Sequence, residues 1–256
     1  MPSPTRRQFL VTLAWLGIPG RSQAGLVDVI ATAKRSVAAV GTFNPLDNPR
    51  FSFRGTGFVA GDGNFVVTNA HVLPESAQAG DSKSALMVQF TTASAAMDMR
   101  PATVERLDAG HDIAVLRFEG SPLTALRLAA EASVREGLSV AFIGFPIGGV
   151  LGFRPVTHRG IVSSIVAVAL PTPTSGQLNA KTIRRLREGP FDIYQLDATA
   201  YPGNSGGPVF DAETGEVIGV INMVLVKGTR ESALSQPTGI SYAIPAHFID
   251  ELLRSK

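Results

Sequence analysis

A serine with the surroundings of a reactive nucleophile lies in the stretch YPGNSGGPVF, residues 201–210. Gly203 and Gly206 permit backbone angles that other residues resist, and Pro202 stiffens the start of the turn. Such a loop can aim the N–H groups of Gly203 and Ser205 at one point, as the developing oxyanion of a carbonyl addition requires. Taken alone, the stretch is also compatible with an ordinary glycine-rich turn.

Among the four histidines, His71 is the best candidate for a base that accepts the Ser205 proton. It ends the run FVVTNAH, directly after a strand-like segment that could hold an imidazole within reach of another loop. Taken alone, His71 also fits a core histidine bonded to a backbone carbonyl. The other three histidines have weaker claims, and we interpret them as structural: His111, His158 and His247.

The carboxylate best placed to orient His71 is Asp112, which opens the apolar run DIAVLRF. A buried carboxylate is costly unless it is paired, and an imidazole N–H is a suitable partner. Such a pair would fix the tautomer that accepts the serine proton. Asp108 has the polar setting of a turn residue, and Asp197 lies too close to Ser205 in sequence for an obvious orienting role.

The elements that must position these side chains are predicted to be β-strands. Of the 256 residues, 45% are hydrophobic, 17% are charged and 26 are glycine, a globular composition with many tight turns. Short runs rich in Val, Ile and Phe predict strands at 37–43, 57–60, 65–69, 86–90, 113–118, 139–144, 160–168, 209–211 and 217–224. Helices are predicted at 26–34 and 246–253. Similar hairpins, turning at 61–64 and 211–215, suggest two β halves joined around residues 121–136.

Composition also excludes several classes of function. The absence of cysteine excludes disulfides, cysteine nucleophiles and thiolate metal sites. The net charge of +2 depends on three arginines within the first 24 residues, which contain no acidic residue. The rest of the chain has 20 basic and 21 acidic side chains, so no basic surface for nucleic acid is indicated.

The first 24 residues have the order of an export signal. Arg6 and Arg7 precede an apolar run at 9–18, and the small-residue segment 22–24 follows. The core TRRQFL resembles a twin-arginine signal, which directs the export of folded proteins. The apolar run is too short for a bilayer, which needs about 20 residues, so no stable membrane span is expected. We predict a signal over 1–24, one catalytic domain over 25–256, and an exported, periplasmic or secreted bacterial protein.

His71 in TNAHV, Asp112 in DIAVL and Ser205 in GNSGGP follow the order His, Asp, Ser. With these motifs the sequence resembles the trypsin-like serine peptidases, and specifically their high-temperature-requirement branch, HtrA or Deg. The similarity runs from about residue 37 to residue 245. It includes GTGFV at 55–59, GIVSS at 160–164, DATAYPGNSGGPV at 197–209, GEVIGV at 215–220 and GISYAIP at 239–245.

The resemblance implies an all-β fold of two six-stranded antiparallel β-barrels, at about 36–125 and 137–245, with a short helix at each end. It assigns Ser205 as nucleophile, His71 as base and Asp112 as the group that holds His71. It places Gly203 and Ser205 in an oxyanion hole that Asn204 shapes. It implies no metal or organic cofactor. The residues implied for the substrate pocket are Thr199, Ala200, Ile221, Asn222 and Met223, none of them acidic, which favours a small or medium aliphatic residue before the cut bond.

The expected function is therefore endoproteolysis of unfolded or exposed polypeptide segments through an acyl-enzyme. The alternative is a peptide-binding or chaperone-like module with little turnover. After residue 245 the chain leaves no room for the PDZ domain common in this branch, so we expect a protease domain without one. Trimers are common among such proteins, and loops equivalent to 171–190 and 226–238 help to switch the relatives between resting and active forms.

Overall fold

The computed structural model describes residues 25–75, 85–92, 96–148, 152–168, 190–222 and 239–255. Three sequence predictions therefore lie outside the described residues: the export signal at 1–24, the pocket residue Met223, and the two switch loops except for Pro190.

The first half of the chain forms a closed antiparallel barrel with the strand order β1-β2-β3-β6-β5-β4. Its strands are β1 (Val37–Phe43), β2 (Phe51–Ala60), β3 (Phe65–Asn69), β4 (Ala85–Thr91), β5 (Met97–Asp108) and β6 (Ile113–Phe118). Helix α1 (Leu26–Ala33) precedes β1, and its buried side chains Val29 and Ala33 dock it onto the core.

The second half forms another closed antiparallel barrel with the order β10-β11-β12-β9-β8-β7. Its strands are β7 (Ser139–Gly144), β8 (Val156–Val168), β9 (Phe191–Asp197), β10 (Pro208–Asp211), β11 (Val217–Asn222) and β12 (Ile240–Pro245). Helix α2 (His247–Arg254) follows β12 and buries Ile249. The predicted fold of two six-stranded barrels with a helix near each end is confirmed.

The strands that face the partner barrel are buried on both sides, because successive side chains of a strand point to opposite faces. On β1, Ala38 and Val40 belong to the core inside the first barrel, whereas Val37 and Ala39 belong to a third core between the barrels. On β7, Phe142 lies inside the second barrel and Ile143 lies in that third core. A continuous apolar core therefore holds the barrels together, and the candidate site lies where they meet.

The sequence predicted four strands with their observed bounds, β1, β3, β6 and β7, and it missed β5, β9 and β12. The 12 residues of β5, MDMRPATVERLD, bury only Ala102, so no apolar run marks this strand. In β9 and β12, polar residues interrupt the apolar ones. The predicted hairpins β2–β3 and β10–β11 are both present.

Two further observations concern the described residues alone. No helix in these ranges is long and apolar enough to cross a membrane. Nor do the described His, Asp and Glu side chains form a cluster of three that could hold a metal ion.

Candidate active site

His71 and Asp112 form a tight pair at the edge of the first barrel. The His71 ring nitrogen Nδ1 lies 2.6 Å from Asp112 Oδ2, and the His71 backbone N–H donates to Asp112 Oδ1 at 2.9 Å. The His71 side chain keeps 29% of its surface exposed, against 10% for that of Asp112. The carboxylate is thus buried behind the ring, and Nδ1 is the nitrogen it engages, which leaves Nε2 available on the other side.

The local backbone brings this pair together. His71 lies in the 3₁₀ turn Ala70–Val72 that ends β3, and Asp112 directly precedes β6, the neighbour of β3. Asp112 has a φ of 56°, in the left-handed region that aspartate tolerates better than most residues. Its carbonyl accepts bonds from the Ala70 N–H and from Asn69 Nδ2, at 3.1 and 3.0 Å. The two strand ends are therefore tied by side-chain and backbone contacts.

A third side chain reaches Asp112 from the second barrel. Asn222, the last residue of β11, donates from Nδ2 to Asp112 Oδ2 at 2.7 Å and is 1% exposed. The sequence predicted Asn222 in the substrate pocket, and no polar pattern around it indicated a contact with Asp112. This contact makes the orientation of the carboxylate depend on both barrels.

The Asp112 carboxyl is held in its charged form. Burial raises its pKa, but the hydrogen bonds and charge of His71 and the bond from Asn222 outweigh burial, so the pKa lies below the ordinary 3.8. A carboxylate is therefore present opposite His71 throughout the neutral range.

A second His–Asp pair lies nearby, between His111 and Asp108. His111 Nδ1 lies 2.7 Å from Asp108 Oδ2, and the imidazole stacks on Phe248 of α2 with ring centroids 3.8 Å apart. Burial raises the Asp108 pKa, but the hydrogen bonds from His111 and from the Gly110 N–H bring it below 3.8 overall. The pair fastens α2 to the first barrel, as expected for a structural histidine.

We predict that Asp108→Asn lowers the free energy of unfolding by about 1–2 kcal/mol at pH 6–7, because charge-assisted hydrogen bonds are lost. A depressed carboxylate pKa stabilises the fold fully above the unfolded value of 3.8 and loses that contribution as the pH falls through the folded value. The difference between wild type and variant should therefore shrink below pH 3.8. Urea unfolding at stepped pH measures it, and a difference that is constant down to pH 2 would contradict the prediction.

Ser205 lies in the loop between β9 and β10, in a segment whose N–H groups divide into two sets. The Asn204 N–H donates to Tyr201 O, the Gly206 N–H to Ile221 O and the Gly207 N–H to Asn204 O, at 2.9–3.0 Å. Within the described part of the chain, the Gly203 and Ser205 N–H groups have no acceptor. Buried backbone donors are nearly always paired, and Ser205 is only 7% exposed, so two free donors here indicate a site for an anionic atom.

The direction of the Gly203 N–H is fixed through the preceding residue. The Pro202 carbonyl accepts from the Ile147 N–H at 2.9 Å, and in a trans peptide the next N–H points the opposite way. Gly203 has a φ of 99°, and a Cβ there would lie 2.3 Å from Phe145 O. Ile147 itself has a φ of 60°, a strained conformation for a β-branched residue.

Thr56 of β2 links the loop to the first barrel. Its Oγ1 donates to Gly203 O at 2.6 Å and accepts from the Phe145 N–H at 3.1 Å, and its own N–H donates to Ser205 O at 2.9 Å. Thr56 is completely buried. A threonine in the middle of an apolar-looking strand carried no sequence signal for this role.

We predict that Thr56→Val lowers kcat for a peptide substrate by about 10- to 100-fold. The Gly203 carbonyl would lose its hydrogen-bond donor, and the Ser205 loop would no longer hold its free N–H groups in fixed positions. It should also lower the free energy of unfolding by about 1–3 kcal/mol, since two buried polar groups lose a partner. Initial rates and thermal unfolding measure both. Thr103→Val, on the exposed face of β5, is the control and should change neither; equal behaviour of the two variants would contradict the role of Thr56.

The Ser205 loop and the His71 turn meet at Gly55. A Cβ at Gly55 would lie 3.0 Å from Ser205 O and 2.6 Å from a methyl group of Val72, the neighbour of His71. Among the described contacts, no hydrogen bond joins the Ser205 side chain to His71. Catalytic hydrogen bonds are often long before a substrate binds, so the arrangement is compatible with transfer of a proton between them.

The predicted pocket residues do not all lie at a surface opening. Ala200 and Ile221 are buried and belong to the core of the second barrel, while Thr199 is half-buried. The Ala200 N–H donates to Ser241 Oγ at 3.0 Å, which fixes the loop segment that leads from β9 to Ser205. The pocket assignment stays a prediction.

Comparison with known proteins identifies the same family that the sequence motifs indicated. The model of the trypsin-like peptidase domain matches residues 55–220, a range that contains His71, Asp112 and Ser205. The chain is 32% identical over 200 residues to serine protease HTRA3 of Rattus norvegicus, covering 78% of this chain and 36% of that protein. It is 29% identical over 258 residues to the mitochondrial serine protease HTRA2 of Drosophila erecta, covering 97% and 52%. It thus spans about a third to a half of these relatives.

Solved structures with the same fold include Deg5, at 24% identity and a TM-score of 0.62, with 88% of this chain and 90% of that chain covered. The HtrA-type protease AlgW with a decapeptide is 23% identical, with a TM-score of 0.63 and coverage of 90% and 67%. At these identities the likeness concerns the fold alone.

Proposed function

Because the chain belongs to the trypsin-like peptidase domain family and is of the HtrA type, we propose that it is a serine endopeptidase that cuts unfolded or exposed polypeptide segments. Ser205 is the nucleophile, His71 the general base and Asp112 the group that orients His71. The observation that carries this proposal is the pair of free N–H groups, on Gly203 and Ser205, in a loop that meets the turn bearing the His71–Asp112 pair at Gly55.

The reaction follows from these positions. Ser205 Oγ attacks the peptide carbonyl carbon, and His71 Nε2 takes the hydroxyl proton while Asp112 stabilises the imidazolium. The carbonyl oxygen becomes an oxyanion, which accepts hydrogen bonds from the Gly203 and Ser205 N–H groups. The C–N bond then breaks, and His71 gives its proton to the departing amine. Water, activated by His71, hydrolyses the acyl-enzyme and restores Ser205.

The geometry also bears on the alternative, a peptide-binding module with little turnover. A collapsed oxyanion loop would be expected to use its N–H groups internally, whereas those of Gly203 and Ser205 are free among the described residues. Labelling with a fluorophosphonate separates the two functions, because the reagent needs an activated serine. We expect stoichiometric labelling at Ser205 and cleavage of an unfolded protein such as reduced casein; the absence of both would contradict the proposal.

The cleavage preference and the assembly state are inferred from the resemblance to HtrA proteases. We propose a preference for small or medium aliphatic residues before the cut bond, since the pocket candidates Thr199, Ala200 and Ile221 carry no charge. Cut-site profiling on a mixed peptide pool measures that preference. Assembly into a trimer is part of the same proposal.

We further propose that residues 1–24 direct export by the twin-arginine route. When these residues are fused to a folded reporter, the reporter should leave the bacterial cytoplasm, and replacement of Arg6 and Arg7 by lysine should retain it there, because this route reads the arginine pair. Fractionation measures the distribution. Arg21→Lys is the matched control and should still allow export. Retention of the unaltered fusion, or unchanged export after the paired replacement, would contradict the proposal.

A further inference from the structure

A histidine outside the proposed catalytic residues contacts the oxyanion loop from within the second barrel. His158 lies on β8, and its ring stacks on Phe142 of β7 with centroids 4.7 Å apart and planes 16° apart. The ring of Tyr201, in the Ser205 loop, lies nearby, with its centroid 5.9 Å from that of His158. The sequence indicated only a structural role for His158.

The contact is made with Asn204, the residue between the two proposed oxyanion donors. Asn204 is completely buried, and its Nδ2 lies 3.3 Å from His158 Nε2. Among the described residues, this is the one hydrogen-bond partner of the Asn204 side chain, since Asn204 Oδ1 is buried without any. The amide packs against Gly144, where a Cβ would lie 2.6 Å from Oδ1. The position of this buried amide therefore depends on the imidazole.

The chemistry of the two groups gives the bond a direction. An amide nitrogen only donates, so His158 Nε2 must be the acceptor and the ring must be neutral, with its proton on Nδ1. Burial lowers the pKa of His158, which favours that neutral form. Among the described residues, the groups in contact with the ring are Phe142, Tyr201 and Asn204, and none of these is a carboxylate that would favour an imidazolium.

We propose that His158 is a positioning residue for the oxyanion hole: by holding the Asn204 side chain, it fixes the peptide units that present the Gly203 and Ser205 N–H groups. Other contacts hold the backbone of the loop: the Ile147 N–H donates to Pro202 O, Thr56 donates to Gly203 O and Ser205 O, and the Gly206 N–H donates to Ile221 O. His158 instead holds a side chain, that of the residue between the two donors. The inference rests on the proposed function, because it concerns the same reaction.

The test compares His158→Phe with His158→Gln. Phenylalanine keeps a ring to stack on Phe142 but offers no acceptor, whereas glutamine loses the ring and keeps an amide oxygen that can accept from Asn204. Because oxyanion bonds form in the transition state, His158→Phe should lower kcat for a peptide ester by on the order of 10- to 100-fold and leave KM within about twofold. His158→Gln should recover most of the loss. A purely structural role predicts the opposite ranking, since phenylalanine preserves the packing better.

A double-mutant cycle with Asn204→Ala locates the effect. If His158 acts through Asn204, then adding His158→Phe to Asn204→Ala should lower kcat no further. Wild-type kcat in His158→Phe, or full additivity of the two changes, would overturn the proposal. If His158→Phe does not fold, the same cycle with His158→Gln decides, because its small loss should likewise vanish beside Asn204→Ala.

A second measurement does not depend on activity. In ¹⁵N-labelled protein, the Asn204 side-chain amide should be protected from solvent exchange in the wild type and in His158→Gln, and should lose that protection in His158→Phe. Equal protection in all three proteins would contradict the inference. Fluorophosphonate labelling of the wild type separates the two proposals: an unlabelled wild type contradicts the proposed function, whereas a labelled wild type with an unaffected His158→Phe contradicts only the role of His158.

Discussion

Replacement of Ser205 by alanine is expected to lower kcat for peptide cleavage by about a million-fold, the size of effect seen when a triad serine is removed. The variant has no atom that can form the acyl-enzyme, so only a slow direct attack of water on the peptide remains for the free backbone N–H groups at positions 203 and 205 to assist. Casein cleavage and fluorophosphonate labelling should both fall to background.

The same variant should keep its fold. The Ser205 side chain makes no hydrogen bond to another described residue, so the loss of Oγ leaves no partner unsatisfied. Thermal unfolding should shift by no more than a few degrees. Ser133→Ala, which removes an exposed hydroxyl bonded to Ala130 O, is the control and should keep full activity. Persistent cleavage by purified Ser205→Ala would rule out Ser205 as the nucleophile.

The second large effect is expected for Asp112→Asn, which should lower kcat by about ten-thousand-fold near neutral pH. Asp112 Oδ2 accepts from both His71 Nδ1 and Asn222 Nδ2, and an asparagine amide nitrogen in that place could accept from neither. Because that nitrogen can only donate to His71 Nδ1, the ring must carry its proton on Nε2. That nitrogen can then no longer accept the Ser205 proton.

Asp108→Asn provides a matched control for this variant. Asp108 also pairs with a histidine Nδ1, that of His111, at nearly the same distance and only four positions earlier in the chain. Its replacement should lower stability as described above while kcat stays within a few-fold. Equal losses of kcat in the two variants would indicate that Asp112 acts through stability, and not by orienting His71.

The sequence was informative where three residues, each ambiguous when taken alone, occurred together in the order His, Asp, Ser. Ser205 among glycines, His71 after an apolar strand and Asp112 before another could be selected because apolar strand ends point to fixed positions. The contact of Asn222 with Asp112 could not be foreseen, since it depends on how the second barrel is seated on the first. The same holds for Thr56 and His158, whose partners are 147 and 46 positions away.

The division of the site between the barrels has a consequence for the timing of activity during synthesis. The ribosome completes His71 and Asp112 with the first barrel, but Ser205 and the strands that shape its loop follow in the second. The apolar core between the barrels and the Thr56 and Asn222 contacts form only when both are folded and docked. Under the proposed function, a nascent or half-folded chain would have no assembled active site, and the protein would not cut itself before its folding is complete.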